Sequence, residues 1–131
     1  MDKRFLSISF LLGALAVALG AFGAHALKEM VDEHAIETYQ TGVQYHFYHV
    51  IALAITGLLL KSGTNDWYKR AGYLFITGII IFSGSLYAMT FLKAASVEGV
   101  GWLGAITPLG GICFITGWLC LLMGVKTLPK S

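Results

Sequence analysis

Four stretches, residues 5–27, 42–60, 71–92 and 103–124, contain no Lys, Arg, Asp or Glu. Folded as helices rising 1.5 Å per residue, they would each be roughly 29–35 Å long, matching a hydrocarbon core of about 30 Å. The pattern predicts an all-α membrane protein, a four-transmembrane-helix bundle occupying residues 1–131 as a single domain. Residues 28–39 follow another rule. Leu27, Val31, Ala35 and Tyr39 recur every four positions, and Glu29, Glu33 and Glu37 repeat on a different face. That spacing predicts a short amphipathic helix lying on the outer membrane surface between spans 1 and 2. Its three carboxylates read as a solvated face, since like charges four residues apart repel mildly rather than forming a ready cation site.

Within lipid, helices gain little from hydrophobic attraction to one another, so small residues that allow close approach mark the contacts. Gly110, Gly117 and Gly124 repeat every seven residues, as do Gly13 and Gly20. This interval keeps one stripe facing a neighbour at a left-handed crossing. Ala16, Gly20 and Ala24 extend the ridge on the first span. Gly72, Gly78 and Gly84 repeat every six, so the third span is expected to touch more than one neighbour.

Charge sets the orientation. Charged residues make up 12% of the chain, too few to clothe a soluble domain, where about 25% is usual. Lys3, Arg4, Lys61, Lys69, Arg70, Lys126 and Lys130 fall on the side of the two termini and the middle loop, against Lys28 and Lys93 opposite. The positive-inside rule therefore predicts both termini in the cytoplasm, N-in and C-in, of a multi-pass protein. Trp67, Tyr68 and Trp102 occupy aromatic-belt positions. Lys3-Arg4, the apolar run and Ala24-His25-Ala26 imitate a secretory signal, but the segment reads as the first span. Cys113 and Cys120 sit roughly 10 Å apart on one helix, too far to bridge within it, and read as small buried side chains.

The polar residues of the spans concentrate towards the outer ends: His25, then Gln44, Tyr45, His46, Tyr48 and His49, then Ser83, Ser85 and Tyr87, then Thr107. All lie within about 15 Å of the outer surface by helical rise. Unpaired polar groups cost several kcal/mol in hydrocarbon, so this layer needs partners or a purpose. One reading is a pocket for a small ligand, lipid head group or quinone, lined by His25, Gln44, Tyr45, His46, His49, Ser83, Ser85, Tyr87 and Thr107. The other is structural: the same groups only join the helices of a homo-oligomeric assembly protein. A haem or metal site, with His25 facing His46 or His49, is a third, and the cofactor question stays open. A helical projection of span 2 puts Thr41, Gln44, Tyr45, Tyr48, His49 and Thr56 towards protein, with Val43, Phe47, Ile51, Ala54 and Leu58 towards lipid. His46 falls at the edge of the polar arc. Thr107-Pro108 either starts the fourth helix, presenting free N–H groups to an anion or carbonyl, or kinks a continuous one. No nucleophile, paired-carboxylate or phosphate-loop signature argues for an enzyme, and Gly99-x-Gly101-x-x-Gly104 lacks the strand-turn-helix setting that would give it meaning. The sparse basic residues disfavour nucleic acid as a partner.

Gly20-Ala-Phe-Gly-Ala-His25-Ala-Leu27, Tyr39-Gln40 with Gln44-Tyr45-His46 and His49, Phe82-Ser-Gly-Ser-Leu-Tyr87, and Thr107-Pro-Leu-Gly-Gly111 with Gly117-Trp118 occur in this order. Together they resemble the small four-span membrane proteins catalogued as domain of unknown function 423. The resemblance implies a bacterial inner (plasma) membrane protein, with relatives in mitochondria and no activity established for the family. Its motifs coincide with the polar layer.

Overall fold

The computed structural model describes residues 1–60 and 64–130, which form helices and no strand. Helix α1 runs Lys3–Ala24, α2 Glu33–Leu59, α3 Asp66–Gly78, α4 Gly84–Ala94 and α5 Leu103–Lys126. A π-turn, Ile79–Ser83, joins α3 to α4 in one continuous rod. Among the described residues three helical rods, Lys3–Glu29, Asp66–Ala94 and Val100–Lys126, are long and apolar enough to cross a membrane. Side-chain caps fix the helix starts. The Asp2 carboxylate accepts from the Arg4 and Phe5 N–H groups at 2.9 and 3.1 Å, Asp32 from Ala35 at 2.8 Å, and the Asn65 side-chain oxygen from Trp67 at 3.0 Å.

One expectation changes. The predicted surface helix over 28–39 does not form separately: Leu27–Glu29 is a single 3-10 turn, and from Glu33 onward the chain already belongs to α2. Asp32 starts the helix, and no Gly-Pro break follows to stop it before Leu59. The apolar positions of that segment consequently pack inward, with Leu27, Ile36 and Tyr39 forming a small buried cluster. The fourth helix takes the continuous one of its two alternatives. It starts at Leu103 and continues through Pro108, with the Thr107 hydroxyl donating back to the Leu103 carbonyl at 3.2 Å. The free N–H groups foreseen at Thr107 are therefore spent inside a helix. Lys61, one of the charges used for orientation, lies outside the described residues.

Heptad spacing governs both main seams. Along α2 the buried residues Ala35, Tyr39, Gly42, His46, His49, Leu53, Thr56 and Leu60 at its end alternate intervals of four and three, the signature of a left-handed seam. Against α1 this seam is antiparallel: a Cβ added at Gly57 would meet Leu6 at 3.0 Å, one at Gly13 Val50 at 3.3 Å, and one at Gly20 Val43 at 3.3 Å. The second seam joins α5 to α3. Gly124 receives the Tyr68 ring and Gly117 the Phe75 ring, where a Cβ would lie 2.6 Å from the ring edge. One heptad further, Gly110 meets the backbone of Phe82 rather than its ring. The π-turn makes the difference, since its extra residue per turn rotates Phe82 away from the seam. Gly72 packs on Phe5 of α1 and Gly78 on Phe114 of α5, so the third rod does touch more than one neighbour; Gly84 has open space beside it.

Candidate functional site

The span-2 projection places His49 and Thr56, both buried, correctly and misses the rest of the seam. His46, placed at the edge of the polar arc, is 1% exposed and lies at the centre of the buried stripe. Thr41, Gln44, Tyr45 and Tyr48, expected to face protein, are exposed instead. Phe47, Ile51 and Leu58 point outward as expected. The phase is set by Gly42 and Gly57, whose missing side chains permit contact with α4 and α1, and the imidazoles follow that phase.

The polar layer resolves into separate groups. His46 Nδ1 bonds the Tyr87 hydroxyl at 2.8 Å, joining α2 to α4. Its Nε2 closes no hydrogen bond among the described residues, with the Leu12 backbone of α1 beside the ring. Ser83, the last residue of the π-turn, donates to the Gly42 carbonyl at 2.7 Å, a second stitch between α2 and the third rod. Ser85 and Thr107 share a 2.6 Å bond between α4 and α5. The Tyr39 hydroxyl donates to the Leu19 carbonyl of α1, and its ring lies 5.3 Å from that of Tyr87. Each bond satisfies a polar group that would otherwise be stranded in an apolar interior.

His49, one turn beyond His46, belongs to a different environment. Its Nδ1 lies 2.7 Å from the Tyr45 carbonyl, which can only accept, so this nitrogen carries the hydrogen. Nε2 is therefore free to accept, and the Trp118 indole N–H donates to it at 3.1 Å. Both nitrogens are used by a neutral ring, which also stacks on Phe114 at 3.5 Å and 6°. Beside it a groove of about 660 Å³ opens between α2 and α5. Tyr45, Tyr48, His49 and Ile51 form one wall, Phe82 of the π-turn the floor, and Gly111, Phe114, Ile115 and Trp118 the other wall. Gly111 keeps that wall low: a Cβ there would come no nearer than 3.9 Å to Phe82. Tyr45, Tyr48 and Trp118 are each roughly half exposed, at 40%, 50% and 48%, so the groove is open along its side.

Of the sequence-derived site residues, Tyr45 and His49 line this groove, whereas His46, Ser83, Ser85, Tyr87 and Thr107 bind helix to helix elsewhere. Gln44 is exposed and donates to the Tyr48 hydroxyl at 2.6 Å. His25 follows Ala24 as the C-cap residue of α1 and is exposed. Among the described residues no group of three His, Cys, Asp or Glu residues is placed to hold a metal ion. Sequence reasoning missed Phe82, Phe114 and Trp118. Their positions show why: Phe82 reaches the groove only because of the π-turn, while Phe114 and Trp118 are apolar residues on a uniformly apolar helix. A helical projection combining Phe114 and Trp118, four apart, with Gly111 would have outlined the wall.

Comparison with known proteins agrees with this architecture at the level of family. The chain is 41% identical over 123 residues to the UPF0382 membrane protein YwdK of Bacillus subtilis, covering 92% of this chain and 94% of that one. A UPF0382 membrane protein of Haemophilus influenzae is 38% identical over 95% of this chain and 94% of its own. The UPF0382 inner membrane protein YgdD of Escherichia coli is 31% identical, with 100% and 96% covered. No solved structure matches. The family described as Protein of unknown function (DUF423) matches residues 19–111, and this chain, apolar in its helices and similar over nearly its whole length to these membrane proteins, belongs to it.

Proposed function

We propose that the protein crosses the bacterial inner membrane four times, with α2 as the additional span and both termini cytoplasmic, and that it binds a small amphiphile drawn sideways from the bilayer. Helix α2 is 27 residues long, sufficient to cross, and from Gln44 to Thr56 its polar side chains are bonded within the helix assembly or placed on the groove. The distribution of Lys and Arg supports the orientation. A single observation carries the binding role: a laterally open groove of about 660 Å³ walled by aromatic rings, beside an imidazole held rigid at both nitrogens. That volume suits a small-molecule site, and its walls favour a flat apolar ring. The ligand reading thus moves from the nine residues of the original polar layer to the Tyr45, Phe82, Phe114 and Trp118 surroundings of His49.

A structural role is favoured by the His46–Tyr87 and Ser83–Gly42 bonds, which serve helix association alone. The two roles occupy different faces of α2 and coexist. Gly111→Leu separates them, because it fills the groove without meeting backbone. Organic extracts of wild type and variant, purified in parallel and compared by mass spectrometry, are expected to share every component except an amphiphile retained by wild type. Identical extracts from two equally stable proteins would leave the structural role standing alone.

A further inference from the structure

We infer that the amphiphile is a quinone-type molecule, a planar ring bearing carbonyl oxygens, held by hydrogen bonds from the phenols of Tyr45 and Tyr48. This identification rests on the groove reading and adds the chemistry of its polar end. Aromatic walls alone would accept any flat apolar body. The groove's polar complement is narrower than that. His49 offers nothing, since its N–H is committed to the Tyr45 carbonyl and its lone pair to Trp118. Tyr48 accepts from Gln44 at 2.6 Å and so retains its own hydroxyl proton for donation. Tyr45, its ring 5.9 Å from that of Tyr48 and 5.0 Å from Phe82, has a hydroxyl with no partner among the described residues.

The groove therefore presents two adjacent O–H donors and no carboxylate, lysine or arginine. Such a site recognises acceptor oxygen on an uncharged molecule; a phosphate head group would lack a cation and an ammonium would lack an anion. Both phenols come from the groove's N-terminal end on α2, towards which helical side chains lean. In the proposed topology that end lies nearest the outer surface, so a carbonyl ring would sit under the interface with its tail along Ile51 and Ile115. The inference concerns binding only, with no electron transfer.

The test uses the full chain in lipid nanodiscs with Trp67 and Trp102 replaced by Phe, leaving Trp118 as the sole indole. Decylubiquinone is expected to quench Trp118 emission saturably, and decylbenzene, which lacks oxygen, to compete weakly. Tyr45→Phe/Tyr48→Phe, both changes at exposed positions, should weaken quinone binding about tenfold, the equivalent of two modest hydrogen bonds, and leave decylbenzene unaffected. An unchanged melting temperature confirms that the double variant is folded. Equal affinity of wild type and double variant for the quinone overturns the inference while the groove reading survives. Quenching that rises linearly with quinone in the bilayer, the same in Gly111→Leu, overturns both. Linear quenching accompanied by an amphiphile in the wild-type extract overturns the quinone assignment alone.

Discussion

His46 and His49 stand one helical turn apart on α2 and live in opposite circumstances. The first is sealed in a seam where glycine and β-branched side chains interlock and the imidazole ties α2 to α4. The second borders an open groove, its ring fixed by a carbonyl, an indole and a stacked phenyl. Burial alone hardly distinguishes them, at 1% and 5% exposure. The neighbours do. A seam tolerates no added volume, and a groove is defined by volume left over, so the same residue type carries different consequences on the two sides.

Substitution at the two adjacent glycines of α5 tests this contrast most severely. Gly110→Val should cost more than about 3 kcal/mol or abolish folding, because its Cβ would collide with Phe82 backbone that cannot move aside. Gly111→Ala, next door on the groove, should shift the melting temperature in detergent by less than about 0.5 kcal/mol equivalent. Similar losses at both positions would dissolve the distinction.

The paired aromatic partners sharpen it further. His46→Ala should lower stability by about 2–4 kcal/mol, leaving a cavity and an orphaned Tyr87 hydroxyl, as measured by thermal unfolding followed by near-ultraviolet circular dichroism. Trp118→Phe, which loses the bond to His49 but keeps a ring on the groove wall, should cost only about 1 kcal/mol. Its larger effect should be on retention of the amphiphile. The Ser85–Thr107 bond is of similarly small weight. Ser85→Ala should cost about 0.5–1.5 kcal/mol, since Thr107 keeps its bond to the Leu103 carbonyl.

Much of the seam was legible in the chain. Glycine every seven residues at 110, 117 and 124 has one good use between apolar helices, and the rings of Tyr68 and Phe75 fill the first two notches from its far end. The polar face of α2 was less legible. Projection assumed that tyrosine and glutamine seek protein, but a phenol carries an apolar body with a polar tip and is comfortable at a groove mouth. Gly42 and Gly57, read as the phase markers, would have rotated the stripe onto His46. His25 was placed with the other imidazoles by its distance along the sequence; it is the exposed C-cap residue of α1. The groove itself left almost no trace in residue type, because it arises from a change of helical pitch.

That pitch change, Ile79–Ser83, acts as a swivel in an otherwise straight rod. A single residue of surplus turns everything beyond it by about 100°. Below the swivel the rod answers to α5 through Tyr68 and Phe75; from its last residue, Ser83, onward, Leu86 and Tyr87 included, it answers to α2. Were residues 79–83 wound as a regular α-helix, Phe82, seven residues beyond Phe75, would turn its ring back to the Gly110 notch and close the groove, converting a vessel into a plain strut.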